Sequence, residues 1–360
     1  MADDSGRSVR AGGVVIRMST MLSGGKFRVA LIGAGRFGTK RAQAVEKSPR
    51  STLAVVADVE PRLAEAAGKQ FDCRSTTDWR GAVTQRDVDA VVVSIPTHLA
   101  PQVSLLAAQA GKHVLMEKPC AATSAEISEV VRETDRNGVR LKAGYNHRYH
   151  PAIYRAHQLF QQGNIGRPLF ARCVYGHGGR VGYESEWRAG GAASGGGELL
   201  DQGVHALDLF QWFLGEFEEV TGMVSTSYWP IAPTEDNVFA LLRTGNNVIA
   251  QLHASWTIWK NTFCFEVFGE NGYLKVSGLG GSYGPERLCL GSREKPGDVP
   301  TEQWLEFPEP DNSLEREWEE FLDAVLEGRE PPSNGWEACH TLRLVEAIRQ
   351  SSRDRCTIKL

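Results

Sequence analysis

Gly33-Ala34-Gly35-Arg36-Phe37-Gly38 is the segment that most restricts what this chain can fold into. It follows an apolar run, Phe27 to Ile32, and leads into a helical pattern from Thr39 to Lys47. At such a strand-to-helix turn the first glycine permits the tight turn, the second lets backbone approach a pyrophosphate, and the third lets helix and strand pack closely. Backbone N–H groups at the helix start then hold the anion. An isolated match is equally what a glycine-rich turn looks like, so its context decides. Here a second apolar run, Thr52 to Ala57, ends at Asp58, twenty residues past Gly38. A carboxylate there suits the two ribose hydroxyls of adenosine and repels a 2'-phosphate, which favours NAD over NADP. The bland role for Asp58 is an N-cap ahead of Pro61, and Arg36 or Arg62 could reach a 2'-phosphate.

The wider pattern supports this context. From Lys26 to about Tyr145, short apolar runs alternate with helical stretches, the further runs being Ala90 to Ile95 and His113 to Met116. Near-continuous Val, Ala and Leu suits strands buried on both faces of a parallel sheet. Pro61 to Gln70, with proline in its first turn, and His98 to Ala110, closed by Gly111, read as the intervening helices. After about Pro151 the strands alternate instead: Val248, Ala250, Leu252, Ala254 and Trp256 share one face of Asn247 to Trp256. Leu169 to His177, Glu219 to Trp229, Asn237 to Arg243, Thr262 to Phe268 and Tyr273 to Val276 extend one large antiparallel sheet. Its aromatic residues Tyr228, Trp229, Trp256, Trp259, Phe265 and Phe268 exceed what helices of this half can cover, which predicts a face that pairs with a second subunit. Leu314 to Glu327 and Trp336 to Gln350 read as amphipathic helices. The expected fold class is α/β: a Rossmann domain over 26–146, then an α+β domain over 147–360 with a large, mainly antiparallel open sheet that binds substrate and oligomerises.

Residues 1–25 read as a disordered tail, with Met18 and Met21 as alternative starts just ahead of the first strand. No stretch approaches the ~20 apolar residues of a spanning helix, so neither signal peptide nor anchor is expected. Forty basic against 44 acidic residues include no basic block that could follow a phosphate backbone, which argues against nucleic acid. Seven scattered cysteines without a CxxC pair argue against a disulfide framework or a zinc site, and suit the reducing cytoplasm.

Two further segments carry chemistry. Glu117-Lys118-Pro119 closes the strand His113 to Met116 at the carboxyl edge of the sheet, where a lysine can stabilise developing alkoxide charge; as a bare tripeptide it is more often a solvated turn. In Gly195-Gly196-Gly197-Glu198-Leu199-Leu200-Asp201-Gln202-Gly203-Val204-His205, Asp201 and His205 stand one helical turn apart on one face, with Asp208 at the next i+3 step. A neutral imidazole can take a hydroxyl proton while hydride leaves the same carbon. A histidine filling a helical core is the ordinary alternative.

Taken together, Gly33 to Gly38, Asp58, Glu117-Lys118-Pro119, Asn146 to Pro151 and the Gly195 to His205 stretch resemble the glucose-fructose oxidoreductase/inositol dehydrogenase (Gfo/Idh/MocA) family, over nearly the whole chain from Lys26. The resemblance implies an NAD(H)-dependent oxidoreductase acting on a hydroxyl-bearing carbon of a sugar, cyclitol or sugar nucleotide, assembled as a homodimer or homotetramer. It implies Lys118 on the reacting oxygen, His205 as proton acceptor or donor, and Asp201 on a substrate hydroxyl. Gly33, Ala34, Gly35, Arg36, Phe37, Gly38 and Asp58, with Ile95, Pro96, Thr97, His98, Glu117 and Asn146, are the implied cofactor positions. Around the expected sugar pocket stand Arg148, Tyr149, His177, Arg180, Tyr183, Trp187 and Arg188; guanidinium groups there would suit a phosphate or carboxylate. His147 and His150 lack a third suitably spaced ligand, so no metal is expected. Two rival classes remain: an NAD-retaining glycosidase or lyase that uses transient oxidation, and a non-catalytic NAD-binding module, which should have lost one of Lys118, Asp201 or His205.

Overall fold

The computed structural model describes residues 25–182, 184, 196–295 and 297–360. Two sheets organise it. The first comprises β1 (Phe27–Ile32), β2 (Ser51–Ala57), β3 (Arg74–Thr76), β4 (Ala90–Val93), β5 (His113–Glu117) and β6 (Leu141–Gly144), in the order β3-β2-β1-β4-β5-β6. Every neighbouring pair is parallel, as the unbroken apolar runs predict. Helices α1 (Arg36–Lys47), α2 (Pro61–Gln70), α3 (Trp79–Val83), α4 (Ala100–Gln109) and α5 (Ser124–Asn137) make the connections. The strand order reverses between β1 and β4, and in open α/β sheets the crevice beyond the carboxyl ends at such a switch point receives the ligand.

After α6 (Pro151–Gln161) the second sheet begins with β7 (Pro168–Gly176). It continues through β8 (Phe217–Ser225), β9 (Asn237–Thr244), β10 (Ile249–Ser255), β11 (Thr262–Gly269), β12 (Gly272–Ser277), β13 (Glu286–Ser292), β14 (Thr301–Phe307) and β15 (Ile358–Lys359). The order is β14-β13-β12-β11-β7-β10-β9-β8-β15. It is mainly antiparallel, as expected, with one parallel pair, β7 with β10. That pair is forced by position: β7 lies between β10 and β11, which run in opposite directions, so it can oppose only one of them. β13 and β14 were not legible in the sequence, because β14 is largely exposed and shows no apolar alternation.

The inner face of this sheet carries Ala250, Leu252, Ala254 and Phe265, all buried, against α7 (Val204–Leu214), whose Phe210 and Phe213 rings lie beside Phe265. The outer face shows Phe170, Met223, Phe239, Leu241 and Ile249 to solvent. Of the expected aromatics, Trp256 and Phe265 are core, whereas Tyr228 and Trp259 are exposed. The surplus apolar surface therefore exists, but aliphatic side chains and phenylalanines supply most of it. Among the described residues no helix is long and apolar enough to cross a membrane.

The last two helices are α8 (Ser313–Glu327) and α9 (Gly335–Asp354). α8 returns to the first sheet: Trp318, Phe321 and Leu322 share a core with Val29, Leu31, Val56 and Leu115. The parallel sheet ends at Gly144, yet its core is completed by a helix more than 160 residues later. Trp318 is buried and its indole N–H donates to Ser51 Oγ at 2.9 Å. Trp318→Ala should therefore cost about 3–5 kcal/mol of unfolding free energy, measured by urea denaturation.

Candidate active site

At the switch point the chain leaves β1 through Gly33, whose φ of 97° suits glycine alone. A Cβ on Gly33 would stand 2.2 Å from the Ser94 carbonyl oxygen, and one on Gly38 would stand 1.9 Å from the Gly33 carbonyl oxygen. A Cβ on Gly35 would meet nothing within 4 Å. The first and third glycines are thus required by the protein's own packing, while the second faces open space, as a backbone that receives a pyrophosphate should. Gly35 is also the N-cap of α1 and places no side chain over its first-turn N–H groups.

Asp58 braces this loop. Its Oδ2 accepts from Ala34 N at 2.7 Å and its Oδ1 from Glu60 N at 2.9 Å. The N-cap of α2 is Glu60, so the capping role read for Asp58 belongs to its neighbour. Ile95 packs against Gly33, and Pro96 and His98 lie exposed beyond β4, so this segment and the glycine loop border one crevice. These features fit an NAD diphosphate and its ribose.

Two expected cofactor residues are engaged elsewhere. Glu117 accepts from Arg41 Nε, with its carboxylate turned into the protein; burial raises its pKa against the Arg41 charge. Asn146 donates to Ser313 Oγ at 2.8 Å, which ties the segment after β6 to the start of α8.

Lys118, at the end of β5, meets Asp201 directly. Its Nζ donates to the Asp201 carbonyl oxygen and, at 3.1 Å, to Oδ1. Asp201 lies in a single π-turn, Leu199–Gly203, that runs into α7. Such turns are rare and cluster at functional sites. His205 follows on α7, buried, with Nδ1 lacking a hydrogen-bond partner among the described residues. Its ring stacks on His147 at 3.7 Å between centroids. Burial, then the neighbouring His147 and Lys118, drives the His205 pKa well below 6.5, so the imidazole is neutral and able to accept a proton. His147 is depressed in the same way by burial and His150, and its Nε2 lies 3.0 Å from the Tyr175 hydroxyl.

The predicted constellation of Lys118, Asp201 and His205 is therefore assembled, whereas Asp208 turns away from it. Asp208 accepts from Arg148 at 2.8 and 2.6 Å, and Arg148 also meets Glu337 at 2.6 Å. Tyr149 accepts at its hydroxyl from Lys142 Nζ at 2.8 Å. Arg148 and Tyr149, expected to line the sugar pocket, lie in a buried network with Asp208, Glu337 and Lys142. His177 Nδ1 accepts from Gly179 N in the loop after β7. Tyr183, Trp187 and Arg188 lie outside the described residues. Tyr175 stands in the sequence without a role, as does the stacking of His147, whose signal is the pair His147 and His150 after β6.

Comparison with known proteins decides the family. Residues 27–145 match the model of an oxidoreductase family with an NAD-binding Rossmann fold, and residues 153–275 match the GFO/IDH/MocA C-terminal domain. An inositol 2-dehydrogenase of Acidothermus cellulolyticus is 30% identical over 69% of this chain and 72% of its own. The chain belongs to the Gfo/Idh/MocA oxidoreductase family. A levoglucosan dehydrogenase of Pseudarthrobacter phenanthrenivorans is 29% identical over 68% of this chain and 72% of that protein. A solved levoglucosan dehydrogenase in complex with NADH and L-sorbose shares the fold with a TM-score of 0.85 and 23% identity, covering 93% of this chain and 98% of the other. The chain is accordingly an NAD-dependent oxidoreductase of this family, with NAD as its cofactor.

Gly38→Ala tests the crevice: the added Cβ must displace the Gly33 carbonyl, so both melting temperature and NADH affinity should fall, read by thermal melting and fluorescence titration. The His205 environment makes a second prediction. A base at His205 would be lost on protonation, and burial defers that protonation to low pH, so an acid limb of kcat/KM set by His205 should lie well below pH 6.5.

Proposed function

We propose that this enzyme oxidises a hydroxyl-bearing carbon of a neutral sugar or cyclitol, or reduces the matching ketone, with Lys118, Asp201 and His205 as its catalytic group. The observation that carries the reading is the Lys118–Asp201 ion pair beside a buried, neutral His205, at the carboxyl edge of the dinucleotide-binding sheet. NAD bound at the glycine loop would supply the hydride acceptor. In the oxidative direction His205 takes the hydroxyl proton, the Lys118 ammonium holds the charge that develops on oxygen, and Asp201 fixes a substrate hydroxyl. Asp58, at the glycine loop, is the residue proposed to take the adenosine ribose.

A neutral substrate is favoured over a sugar nucleotide because the Arg148 guanidinium is already committed to Asp208 and Glu337. The relatives' names, levoglucosan and inositol dehydrogenase, agree with this class. The exposed outer face of the second sheet is the proposed seam of a homodimer or homotetramer. Seven cysteines, none of them paired, suit a cytoplasmic enzyme.

Lys118→Ala and His205→Ala should each lower kcat by ~10²- to 10⁴-fold on the oxidised polyol, with NAD affinity little changed. Wild-type turnover in folded variants of both would refute the assignment. Light scattering at micromolar concentration should give a mass of at least two chains, and a single-chain mass would refute the proposed seam.

A further inference from the structure

The proton acceptor lacks the brace that usually orients a catalytic imidazole. One ring nitrogen of such a residue is commonly tied to a carboxylate or a backbone carbonyl, which fixes tautomer and ring plane. In His205 the buried Nδ1 has no hydrogen-bond partner among the described residues. Neighbouring rings hold it instead. His147 stacks on it at 3.7 Å between centroids with 20° between planes, and Tyr145 meets it edge-on at 6.1 Å and 74°.

His147, in contrast, is met at both nitrogens. The Asn146 amide donates through Nδ2 to Ser313 Oγ at 2.8 Å, which leaves its Oδ1 facing His147 Nδ1 at 3.4 Å. An amide oxygen only accepts, so the hydrogen of the neutral ring belongs on Nδ1. Nε2 then accepts from the Tyr175 hydroxyl at 3.0 Å. Tyr175 is buried on β7 against Phe263 and Tyr283. Burial, then Tyr283, raises its pKa well above 10, so it keeps the proton it donates.

Two imidazolium rings stacked this closely repel, whereas an imidazolium over a neutral aromatic ring is attracted. The charged and titratable groups facing the pair are Lys118 after β5, Arg41 of α1, the phenols of Tyr145 and Tyr175, and His150 ahead of α6, which meets Glu286 of β13 at 3.2 Å. Lys118 and Arg41 are already matched by carboxylates. Burial, then His150 and Lys118, holds the His147 pKa well below 6.5, in line with the hydrogen-bond pattern.

We propose that His147 is a positioning residue: fixed as the neutral Nδ1–H tautomer by Asn146 and Tyr175, it lies flat against His205, sets the plane of that ring, and stabilises it once it has taken the hydroxyl proton. The proposal rests on the role given to His205 above.

NMR of the ring nitrogens, in enzyme labelled at its histidines and kept at neutral pH without substrate, reads the tautomer directly. His147 should give the neutral pattern with its hydrogen on Nδ1, assigned by the loss of its signals in a His147 variant, or by their response to Tyr175→Phe if those variants do not fold. An Nε2–H tautomer or a charged ring overturns the proposal. Steady-state kinetics test the stack, with NAD and myo-inositol, or the pyranose that the enzyme oxidises in its place. His147→Phe and His147→Leu lose the same contacts to Asn146 and Tyr175, but only phenylalanine keeps a flat face. His147→Phe should hold kcat within about fivefold of wild type and His147→Leu should lower it about tenfold or more, with NADH affinity unchanged in both. Wild-type kcat in His147→Leu, or an equal loss in both variants, overturns the proposal. Full activity in His205→Ala would remove the functional reading itself, whereas an inactive His205→Ala beside a fully active His147→Leu removes only the role of His147.

Discussion

A single buried guanidinium holds the site together. Arg41 projects from α1, whose N-terminus forms the glycine crevice, and binds Glu117 beside Lys118 and, at 2.5 Å, Glu317 on α8. All three side chains are buried, and the two carboxylates together outweigh the burial that opposes the Arg41 charge. Three distant parts of the chain, the dinucleotide turn, the EKP loop and the returning helix, are thereby fixed to one planar group. Removing one partner of such a cluster leaves an unpaired buried charge, at a cost of about 3–5 kcal/mol. The cluster also explains why Glu117 faces inward: its carboxylate is structural, and Lys118 is the member of the EKP pair left to face Asp201.

Around this anchor the site is built from charges that cancel and bases kept neutral. Lys118 and Asp201 form its ion pair, while His205 and His147 are stripped of solvent and of protons by burial. Arg148 meets Asp208 behind them; burial raises the Asp208 pKa to about 6 even with the guanidinium in contact. Among the described residues this cluster brings together an ammonium, a carboxylate and an imidazole with an unpaired nitrogen, groups that suit the recognition of hydroxyls.

Much of this was legible in the sequence, for identifiable reasons. Strand β1, helix α2 and the starts of β5, β9 and β11 were read at their observed positions, because unbroken apolar runs and proline or glycine punctuation act locally. Asp201 and His205 were legible as a pair because four residues of spacing put them close on one element, whereas Lys118 reaches Asp201 from 83 residues away and was joined to them only by the family resemblance. What escaped depends on contacts between distant segments. The bonds of Arg148 to Asp208 and of Tyr149 to Lys142 join segments that no local pattern connects. The parallel pairing of β7 with β10 follows from insertion between neighbours, which no periodicity encodes. Glu198 reads as an ordinary polar residue in a glycine-rich stretch, and only its burial makes it unusual.

The central claim is that hydride leaves a hydroxyl-bearing carbon of a neutral polyol for NAD and is not returned to it. The most direct measurement is deuterium transfer: incubate the enzyme with NAD and myo-inositol or a pyranose deuterated at its carbinol carbons, then weigh the nicotinamide product by mass spectrometry. The account predicts NADH carrying one deuterium, accumulating with the ketone. Turnover of the sugar with no deuterated NADH released would contradict it, and would identify a cycle in which the oxidation is only transient.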